Sequence, residues 1–296
     1  MRTCVIFNPT AKGNKARHFL HHLNAVASQC AMKPTWAAGA ARILAADAVR
    51  DGFSTIIAAG GDGTLNEVVN GFGDVPDGFE RARLAVLPLG TANVFAKEMG
   101  IPMKLTAAWD IIRGGRERRV DLGTAEFEAD GEARIRYFAQ MTGAGLDARA
   151  VELVSWNLKK KAGWLAYIWA AWLAWRENPA EITVRGEHDE LTGSLAVVGN
   201  GHFYGGNFVL LPRAVCDDGV QDVCVFEKVT ARTLVECAWG MARGTMERAA
   251  GARHFQAKRV TLHAKTRTPF HVDGELAGHL PVTLTLQPKR LRVVVP

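Results

Sequence analysis

The chain has 296 residues, 48% of them apolar, and a formal net charge of +6 at pH 7. This composition predicts a folded globular protein with a substantial core, in one large domain or two ordinary ones. No run reaches the roughly 18 to 20 apolar residues of a transmembrane helix, and "MRTCVIFNP" leads directly into a strand-like segment, so we expect a cytoplasmic protein without a signal peptide.

Up to about residue 113, strand-like apolar segments alternate with helix-like ones. The predicted strands cover residues 3–9, 54–61 and 83–90, and the predicted helices cover residues 15–31, 42–51, 64–71, 91–99 and 105–113. Apolar strands separated by helices indicate a parallel sheet with helices on both faces. We therefore expect a doubly wound α/β domain in this part of the chain.

After "RGGRERRVDLG" the pattern changes to short strand-like segments separated by turn signals, as in "AEITVRG", "SLAVVGNG" and "VQDVCVFE". This pattern is typical of a mostly antiparallel, all-β domain. The domain boundary is placed near Gly114 and Gly115, where the pattern changes.

One helix-like segment, "KKKAGWLAYIWAAWLAWRENP" at residues 159–179, interrupts the second part of the chain. On a helix, Ala166, Ala170 and Ala174 form a ridge of small residues, and most of the aromatic side chains share another face. The segment fits a buried core helix, or a helix at a membrane interface with Lys159–Lys161 near acidic lipid. It is too short to span a bilayer.

A glycine-rich turn follows the second predicted strand, in "AAGGDGTLNEVVNG". Glycines leave the backbone N–H groups of residues 60–64 open to an anion, and the helix start behind them adds the positive end of its dipole. This arrangement suits a polyphosphate, and Asp62 beside phosphates indicates a divalent cation, which we expect to be Mg²⁺. The alternative is a tight turn in which Asp62 has only a turn-forming role.

Two other strand ends carry similar residues. "LPLGTANVFAKEMGIP" places Thr91 after a strand, and "NPTAKGNKA" places Asn8, Gly13, Lys12 and Lys15 after another. Because the carboxyl ends of parallel strands line one crevice, we expect these segments to form a single ligand site.

Two acidic turns lie in the second part of the chain. "PRAVCDDGVQDVCVF" contains Asp217, Asp218 and Asp222, and "FHVDGELAG" contains Asp273 and Glu275. Each fits an ordinary hairpin turn, but beside a phosphate site they become candidates for metal ligation and for a carboxylate base. The chain has no GxxxxGK[ST], GxSxG or HExxH motif, which argues against a Walker-type loop and those hydrolase classes.

Together these motifs resemble the diacylglycerol kinase catalytic-domain family of bacterial lipid kinases, which is related to sphingosine and ceramide kinases and shares its core fold with NAD kinases. The matching motifs occur in the family's order along nearly the whole chain, as "NPTAKGNKA", "TWAAG", "GGDGTLNEVVNG", "LPLGTANVFAKEMGIP", "RVDLG", "GNGHFYGGNFVLLPRAVCDDGVQDVCVF" and "VDGE". The resemblance implies an ATP-binding α/β domain at residues 1–120, rejoined by residues 288–296, and a β-sandwich-like lipid domain at residues 121–287.

The resemblance also implies a reaction, the transfer of the γ-phosphate of ATP to a hydroxyl of a lipid such as diacylglycerol, with Mg²⁺, in phospholipid synthesis. The family's nucleotide contacts fall on Asn8, Pro9, Gly13, Thr35, Gly60, Gly61, Asp62, Gly63, Thr64, Leu65, Asn66 and Thr91. Its metal position falls on Val215, Asp218 and Val220. Catalytic roles fall on Asp62 and on Glu275 as the proton acceptor.

One residue departs from the family pattern. The family commonly has GTxND, but here Val94 follows Asn93, so that Asp62 and Asp121 are the carboxylates left near the phosphates. Two alternatives stay open, an NAD kinase-like phosphotransferase acting on a soluble substrate and a catalytically silent lipid-binding regulator, which Val94 favours.

The expected partner is a lipid at the inner face of the membrane, with peripheral membrane contact and no nucleic acid. Basic clusters such as Arg113–Arg119 and Lys159–Lys161 suit anionic phosphates and acidic lipid headgroups, although they also fit an ordinary solvated surface.

Overall fold

The structure is a computed structural model that describes residues 2–9, 19, 30–153, 164–177, 179–206, 208–243 and 251–296. The chain divides into two compact units. The first unit contains Met1–Val120 and Lys289–Pro296, and the second contains Asp121–Pro288. The predicted helix at residues 15–31 lies almost entirely outside the described residues.

The first unit is built on a parallel sheet. Its strands are β1 (Thr3–Phe7), β2 (Ala31–Pro34), β3 (Thr55–Gly60) and β4 (Arg83–Pro88), and its helices are α1 (Ala40–Arg50), α2 (Asp62–Gly73), α3 (Gly78–Arg81), α4 (Val94–Glu98) and α5 (Leu105–Gly114). The strand order is β2-β1-β3-β4, and every pair is parallel. The predicted α/β domain with a parallel sheet is therefore confirmed.

Two long strands pass from one unit to the other, β5 (Arg116–Ala129) and β18 (Val282–Val295). In the first unit, the end of β18 pairs in parallel with β4 through Val293 and Leu84. Leu291, Val293 and Val294 are buried there. The last residues of the chain thus complete the sheet that the first residues begin.

The sequence analysis did not predict β2 or α3. The residues of β2, "AMKP", are half-buried or exposed, so the strand lacks the apolar run that marks β1 and β3. Its first residue had been included in the predicted helix at 15–31. The helix α3 has only four residues, too few for a helical period to be visible.

The described part of the second unit is built mainly on two antiparallel sheets. Its remaining strands are β6 (Glu132–Phe138), β7 (Met141–Gly145), β8 (Ile182–Arg185), β9 (Glu190–Gly193), β10 (Leu195–Gly199), β11 (Phe203–Tyr204), β12 (Phe208–Val209), β13 (Gln221–Phe226), β14 (Ala252–Ala257), β15 (Arg259–Ala264), β16 (Pro269–Val272) and β17 (Glu275–His279). One sheet has the order β14-β13-β10-β7-β16-β17, and in the other β18 is followed by β15, β8 and β9. The strands β11 and β12 form a small third sheet.

A shared apolar core lies between these two sheets. Val198 and Val223 of the first sheet belong to the same buried cluster as Val184, Leu262 and Leu284 of the second. Two sheets joined by one core form a β-sandwich, as predicted.

The described part of the second unit also contains three helices, α6 (Leu146–Leu153), α7 (Trp164–Arg176) and α8 (Ala231–Arg243). Of these helices only α7 was predicted, as part of the helix-like segment at residues 159–179. Residues 159–163 of that segment lie outside the described residues. The helical periodicity of α6 and α8 was not recognised in the sequence, because strand-like segments lie on either side of them. Within the described ranges, no helix is long and apolar enough to cross a bilayer.

Candidate functional site

Three of the predicted ligand segments share one edge of the parallel sheet. Asn8 and Pro9 follow β1, Gly61 follows β3 and Thr91 comes shortly after β4. The strand order reverses direction between β1 and β3, and ligands of open α/β sheets bind at such a point, outside the carboxyl ends of the strands.

Thr35 belongs to the same edge, because its N–H donates to the carbonyl of Phe7, the last residue of β1, at 2.8 Å. The predicted contact Gly13 lies outside the described residues, as do Lys12 and Lys15.

Two glycine-rich loops pack backbone against backbone at this edge: the GGDGT loop, residues 60–64, and the GTAN loop, residues 90–93. The carbonyl of Gly60 accepts hydrogen bonds from the N–H groups of Leu89 and Gly90, at 3.0 and 3.2 Å. A Cβ on Gly90 would lie 2.5 Å from the Cα of Gly61. Glycine is therefore required for the contact between the loops, a reason that the motif alone did not reveal.

The side chain of Asn93 stabilises the GTAN loop. Its amide accepts from the N–H of Gly90 at 3.0 Å and donates to the carbonyl of the same residue at 2.8 Å. Asn93 has a positive φ of 48°, which asparagine tolerates better than most residues. Val94 is the next residue and begins α4.

Asp62 is the first residue of α2, and its carboxylate reaches the neighbouring loop. Its Oδ1 accepts the N–H of Phe95, in the first turn of α4, at 3.3 Å. The helix begins after Gly61, which offers no side-chain cap. The start of α2 thus combines uncapped N–H groups with the positive end of a helix dipole, which favours an anion.

The other predicted residues of this motif differ in how deeply they are buried. Gly63 and Thr64 are half-buried in the first turn of α2, whereas Leu65 and Asn66 are buried. Asn66 accepts hydrogen bonds from the side-chain amide of Asn70. Leu65 and Asn66 therefore contribute to the interior of the first unit.

Glu67 has a role that the sequence analysis did not assign. Its two carboxylate oxygens accept the N–H groups of Gly39 and Ala41, at 2.7 and 2.9 Å, where α1 begins. Glu67 of α2 therefore caps α1 and connects the GGDGT motif to the segment that follows Thr35. A glutamate three residues after the loop does not by itself predict hydrogen bonds to residues as distant in the sequence as Gly39 and Ala41.

The predicted metal segment lies in the second unit and is supported by Asp121. The buried carboxylate of Asp121 accepts the N–H of Gly219 at 2.7 Å, and its own N–H donates to the carbonyl of Cys216 at 2.7 Å. Asp218 is exposed and accepts the N–H of Val220 at 3.1 Å. Asp121 therefore fixes the loop that carries the predicted metal residues.

The donor atoms of this segment suit a hard cation. Carbonyl and carboxylate oxygens, as offered by Val215, Asp218 and Val220, are the ligands that Mg²⁺ and Ca²⁺ prefer. In the parts of the chain that the structure describes, no three His, Cys, Asp or Glu side chains group into a metal site. A cation in this segment would therefore depend on backbone carbonyls as well as on Asp218.

Asp222, another member of this acidic turn, is almost completely buried. Burial raises its pKa, and the side-chain amide of Gln256, which donates to the carboxylate, opposes the rise. Asp222 is the second residue of β13, a strand that is buried along its whole length, so it belongs to the sandwich.

Glu275 follows a tight turn between β16 and β17. Asp273 and Gly274 both have positive φ angles, and the Asp273 carboxylate accepts the N–H groups of Ala139, Gln140 and Met141, each at 3.0 Å. The turn is therefore held firmly by the segment before β7.

The Glu275 carboxylate itself forms an ion pair. Its Oε2 lies 3.2 Å from Nη2 of Arg136, and 41% of the glutamate side chain is exposed. This ion pair between Glu275 and Arg136 was not predicted from the sequence. An accessible carboxylate held by an arginine keeps one orientation and can still receive a hydrogen bond.

Two family models match this chain, one after the other. Residues 2–125 match the model of the diacylglycerol kinase catalytic domain. Residues 140–295 match the model of the YegS C-terminal NAD kinase beta sandwich-like domain.

Individual proteins are also similar. A Bacillus subtilis diacylglycerol kinase is 30% identical over an alignment that covers 100% of this chain and 96% of that protein. A Pseudomonas putida protein named "Probable lipid kinase YegS-like" is 35% identical over 66% of this chain and 63% of that protein. A Bacillus anthracis diacylglycerol kinase structure has a TM-score of 0.72 at 20% identity, covering 100% of this chain and 97% of that one, and shows the same fold.

Proposed function

The chain belongs to the diacylglycerol kinase catalytic-domain family of lipid kinases, and from this membership we propose that it transfers the γ-phosphate of ATP to a hydroxyl of a lipid such as diacylglycerol. The observation that carries the proposal is the pair of glycine loops at the strand ends of the first unit. There an uncapped helix start, Gly61 and Asp62, meets the backbone of Gly90.

In this proposal the first unit binds the nucleotide. The N–H groups at the start of α2 donate to phosphate oxygens, and the segments at Asn8, Thr35 and Thr91 line the same sheet edge. Asp62 accepts the N–H of Phe95, just after the GTAN loop, and would hold a divalent cation, which would supply neutralisation of charge on the triphosphate. Val215, Asp218 and Val220 would hold a second, structural cation.

The second unit contributes the residue that handles the acceptor hydroxyl. As the new O–P bond forms and the bond to the leaving ADP oxygen breaks, the hydroxyl proton passes to the carboxylate of Glu275. Arg136 fixes the orientation of that carboxylate. Because the transition state of phosphoryl transfer is loose, alignment of the hydroxyl contributes more than early removal of its proton.

A lipid acceptor also requires contact with a membrane surface, and two helices of the second unit fit that role. Trp169 and Trp172 of α7 are 52% and 37% exposed, and Val235 and Trp239 of α8 are 69% and 60% exposed. Arg176 stacks over Trp172, and Arg243 stacks over Trp239. Exposed tryptophans beside arginines suit the headgroup region of an acidic bilayer.

Among the side chains of α7 that the structure describes, two alanines of the predicted ridge form the buried face. Ala170 and Ala174 are almost fully buried, and Trp175 donates from Nε1 to the carbonyl of Val229 at 2.9 Å. The helix therefore packs through small residues while Trp169 and Trp172 remain available to lipid, which favours the membrane-interface interpretation over the core helix.

The test is an assay with γ-labelled ATP and three acceptors, diacylglycerol micelles, ceramide micelles and NAD. We expect labelled lipid and unlabelled dinucleotide. In Glu275→Gln, kcat should fall by roughly a hundredfold with an unchanged KM for ATP, since the carboxylate acts on the acceptor. Glu132→Gln, which alters an exposed ion pair with Arg134 in the same unit, should behave as wild type.

Label in the dinucleotide would support the NAD kinase-like alternative. Nucleotide binding with no label in any acceptor would support the silent regulator. Either result would overturn the proposal.

A further inference from the structure

A network of polar side chains, made of the buried His271 and Asp147 and the half-buried Tyr204, ends at the turn that precedes Glu275. The Tyr204 hydroxyl donates to Oδ1 of Asp147, and Oδ2 of Asp147 lies 2.8 Å from Nε2 of His271. Nδ1 of His271 accepts the N–H of Gly274 at 3.2 Å. The side chains of His271 and Asp147 are only 2% and 7% exposed.

The hydrogen bonds specify one tautomer of His271. The N–H of Gly274 is only a donor, so Nδ1 of His271 must carry a lone pair and the ring proton must lie on Nε2. Nε2 then donates to Asp147, whose two oxygens accept from His271 and from Tyr204. Each polar group in the network has a partner with the correct role.

The surrounding backbone is shaped to hold the network. His271 lies opposite Gly143 on the neighbouring strand β7. A Cβ at that glycine would collide with the Asp147 carboxylate and would lie 2.5 Å from Nε2 of His271. Asp147 itself stands in the first turn of α6, where a carboxylate interacts favourably with the helix dipole.

The stability of the sandwich does not explain why these groups are buried. Ala144 and Val272, the neighbours of Gly143 and His271 along the chain, belong to the apolar core, and side chains alternate between the faces of a strand. Burying a carboxylate has a desolvation penalty that apolar packing avoids. The last contact of the network is with the N–H of Gly274, the residue next to Glu275.

We infer that His271, which Asp147 and Tyr204 hold on its other side, is a positioning residue that orients Glu275 through the turn at residues 273–274, an inference that rests on the proposed role of Glu275. Asp273 is already fixed by the backbone of residues 139–141. His271 fixes the other half of the turn. With both halves of the turn held, the side chain of Glu275 keeps one orientation, in which its carboxylate contacts Arg136.

A matched pair of substitutions tests the inference. In His271→Asn the amide oxygen can take the place of Nδ1 and accept from Gly274, while the bond to Asp147 is lost. In His271→Gln the amide nitrogen can take the place of Nε2 and donate to Asp147, while Gly274 loses its acceptor. Both variants lose one hydrogen bond, but only the second releases the turn.

We expect His271→Gln to lower the kcat of lipid phosphorylation by roughly tenfold to a hundredfold, the scale on which misplacing a catalytic group acts, while His271→Asn stays near wild type. The KM for ATP should be unchanged in both. In Glu275→Gln, adding His271→Gln should lower kcat no further, because the two residues act as one unit.

Val260→Ala serves as the stability control, because it removes a buried core side chain of the same unit without touching the network. It should lower the melting temperature and leave kcat unchanged below it. Tyr204→Phe, which changes only the end of the network far from Gly274, should leave kcat near wild type, as in His271→Asn.

The outcomes separate this inference from the proposed function. If the wild type labels no lipid, or Glu275→Gln is fully active, the proposed function or the role of Glu275 is wrong. If both hold but His271→Gln equals His271→Asn in kcat, or its effect adds to that of Glu275→Gln, the positioning role alone is wrong.

Discussion

Asp62 combines a charge with a structural hydrogen bond, and two substitutions separate these roles. Asp62→Asn keeps an oxygen for the N–H of Phe95 but removes the charge, so we expect near-normal stability and a loss of activity of roughly a hundredfold or more. Asp62→Ala should also lose about 1 kcal/mol of unfolding free energy, because the hydrogen bond goes too. Urea denaturation and labelled-ATP turnover measure the two effects. Normal turnover in Asp62→Asn would contradict a cation role.

Gly90 tests whether the contact between the two glycine loops matters for stability. In Gly90→Ala the new Cβ would meet the backbone of Gly61 and the side-chain oxygen of Asn93, at 2.5 and 2.7 Å. Neither loop can move away without breaking the bonds at Gly60, so we expect a loss of about 1 to 3 kcal/mol. Gly114→Ala is the control, because nothing lies within 4 Å of its added Cβ and its φ is not positive. Equal unfolding free energies in the two variants would rule out a tight loop contact.

At the scale of elements, the sequence predicted the strands and helices whose hydrophobic pattern lies in one continuous segment. β1, β3 and β4 are apolar strands bounded by turns, and α7 is a long run of helix formers, so each was visible from its own residues. β2 and α8 were not predicted, since an edge strand lacks an apolar run and a helix among strands is easily missed.

The predicted site shows the same division. The GGDGT motif located the loop, because glycines and an aspartate directly after an apolar strand are typical of a phosphate-binding turn. Two of its contacts join residues that are far apart in the sequence. The loop packs against Gly90, and Glu67 accepts hydrogen bonds from the N–H groups of Gly39 and Ala41, which lie 28 and 26 positions away. Such contacts depend on the fold and leave no local pattern in the sequence.

The exposed faces of α7 and α8 give a prediction for membrane binding. Trp169→Ser combined with Trp172→Ser should weaken binding to acidic phospholipid vesicles at low salt, since each buried indole contributes apolar area at the interface. Trp36→Ser is the matched control, because this tryptophan of the first unit is 66% exposed but lies outside both helices. Flotation of vesicles measures the bound fraction. Equal binding by the double variant and the wild type would exclude α7 as the contact.

At the scale of the whole molecule, the last residues of the chain return to the first unit. Arg116, at the start of β5, donates to the carbonyl of Pro296, the last residue, at 3.2 and 3.0 Å. Arg292 of β18 holds Glu117 of β5 through two hydrogen bonds of 2.9 and 2.8 Å. The first unit is therefore complete only when the last residues of the chain are in place. Loss of these contacts should destabilise the sheet, whose other strands, β1 to β4, come from the first part of the chain.

Arg292→Gln tests this connection through its dependence on pH. The hydrogen bond from Arg292 lowers the pKa of Glu117, so the ionised pair stabilises the folded state above the ordinary pKa of 4.5 and loses that effect as pH falls through the lowered folded value. We expect the variant to be less stable than wild type by about 1 kcal/mol at pH 7, since the pair is only partly screened by solvent. The difference should stay constant down to about pH 5 and shrink below about pH 4. Hydrogen exchange of the β4 amides, beside β18, reports on this unit alone. Arg253→Gln, which breaks an exposed pair with Glu227 at 3.4 Å in the second unit, should leave those amides unchanged. A stability difference that grows toward low pH would show that the Glu117 carboxylate is not stabilised by Arg292.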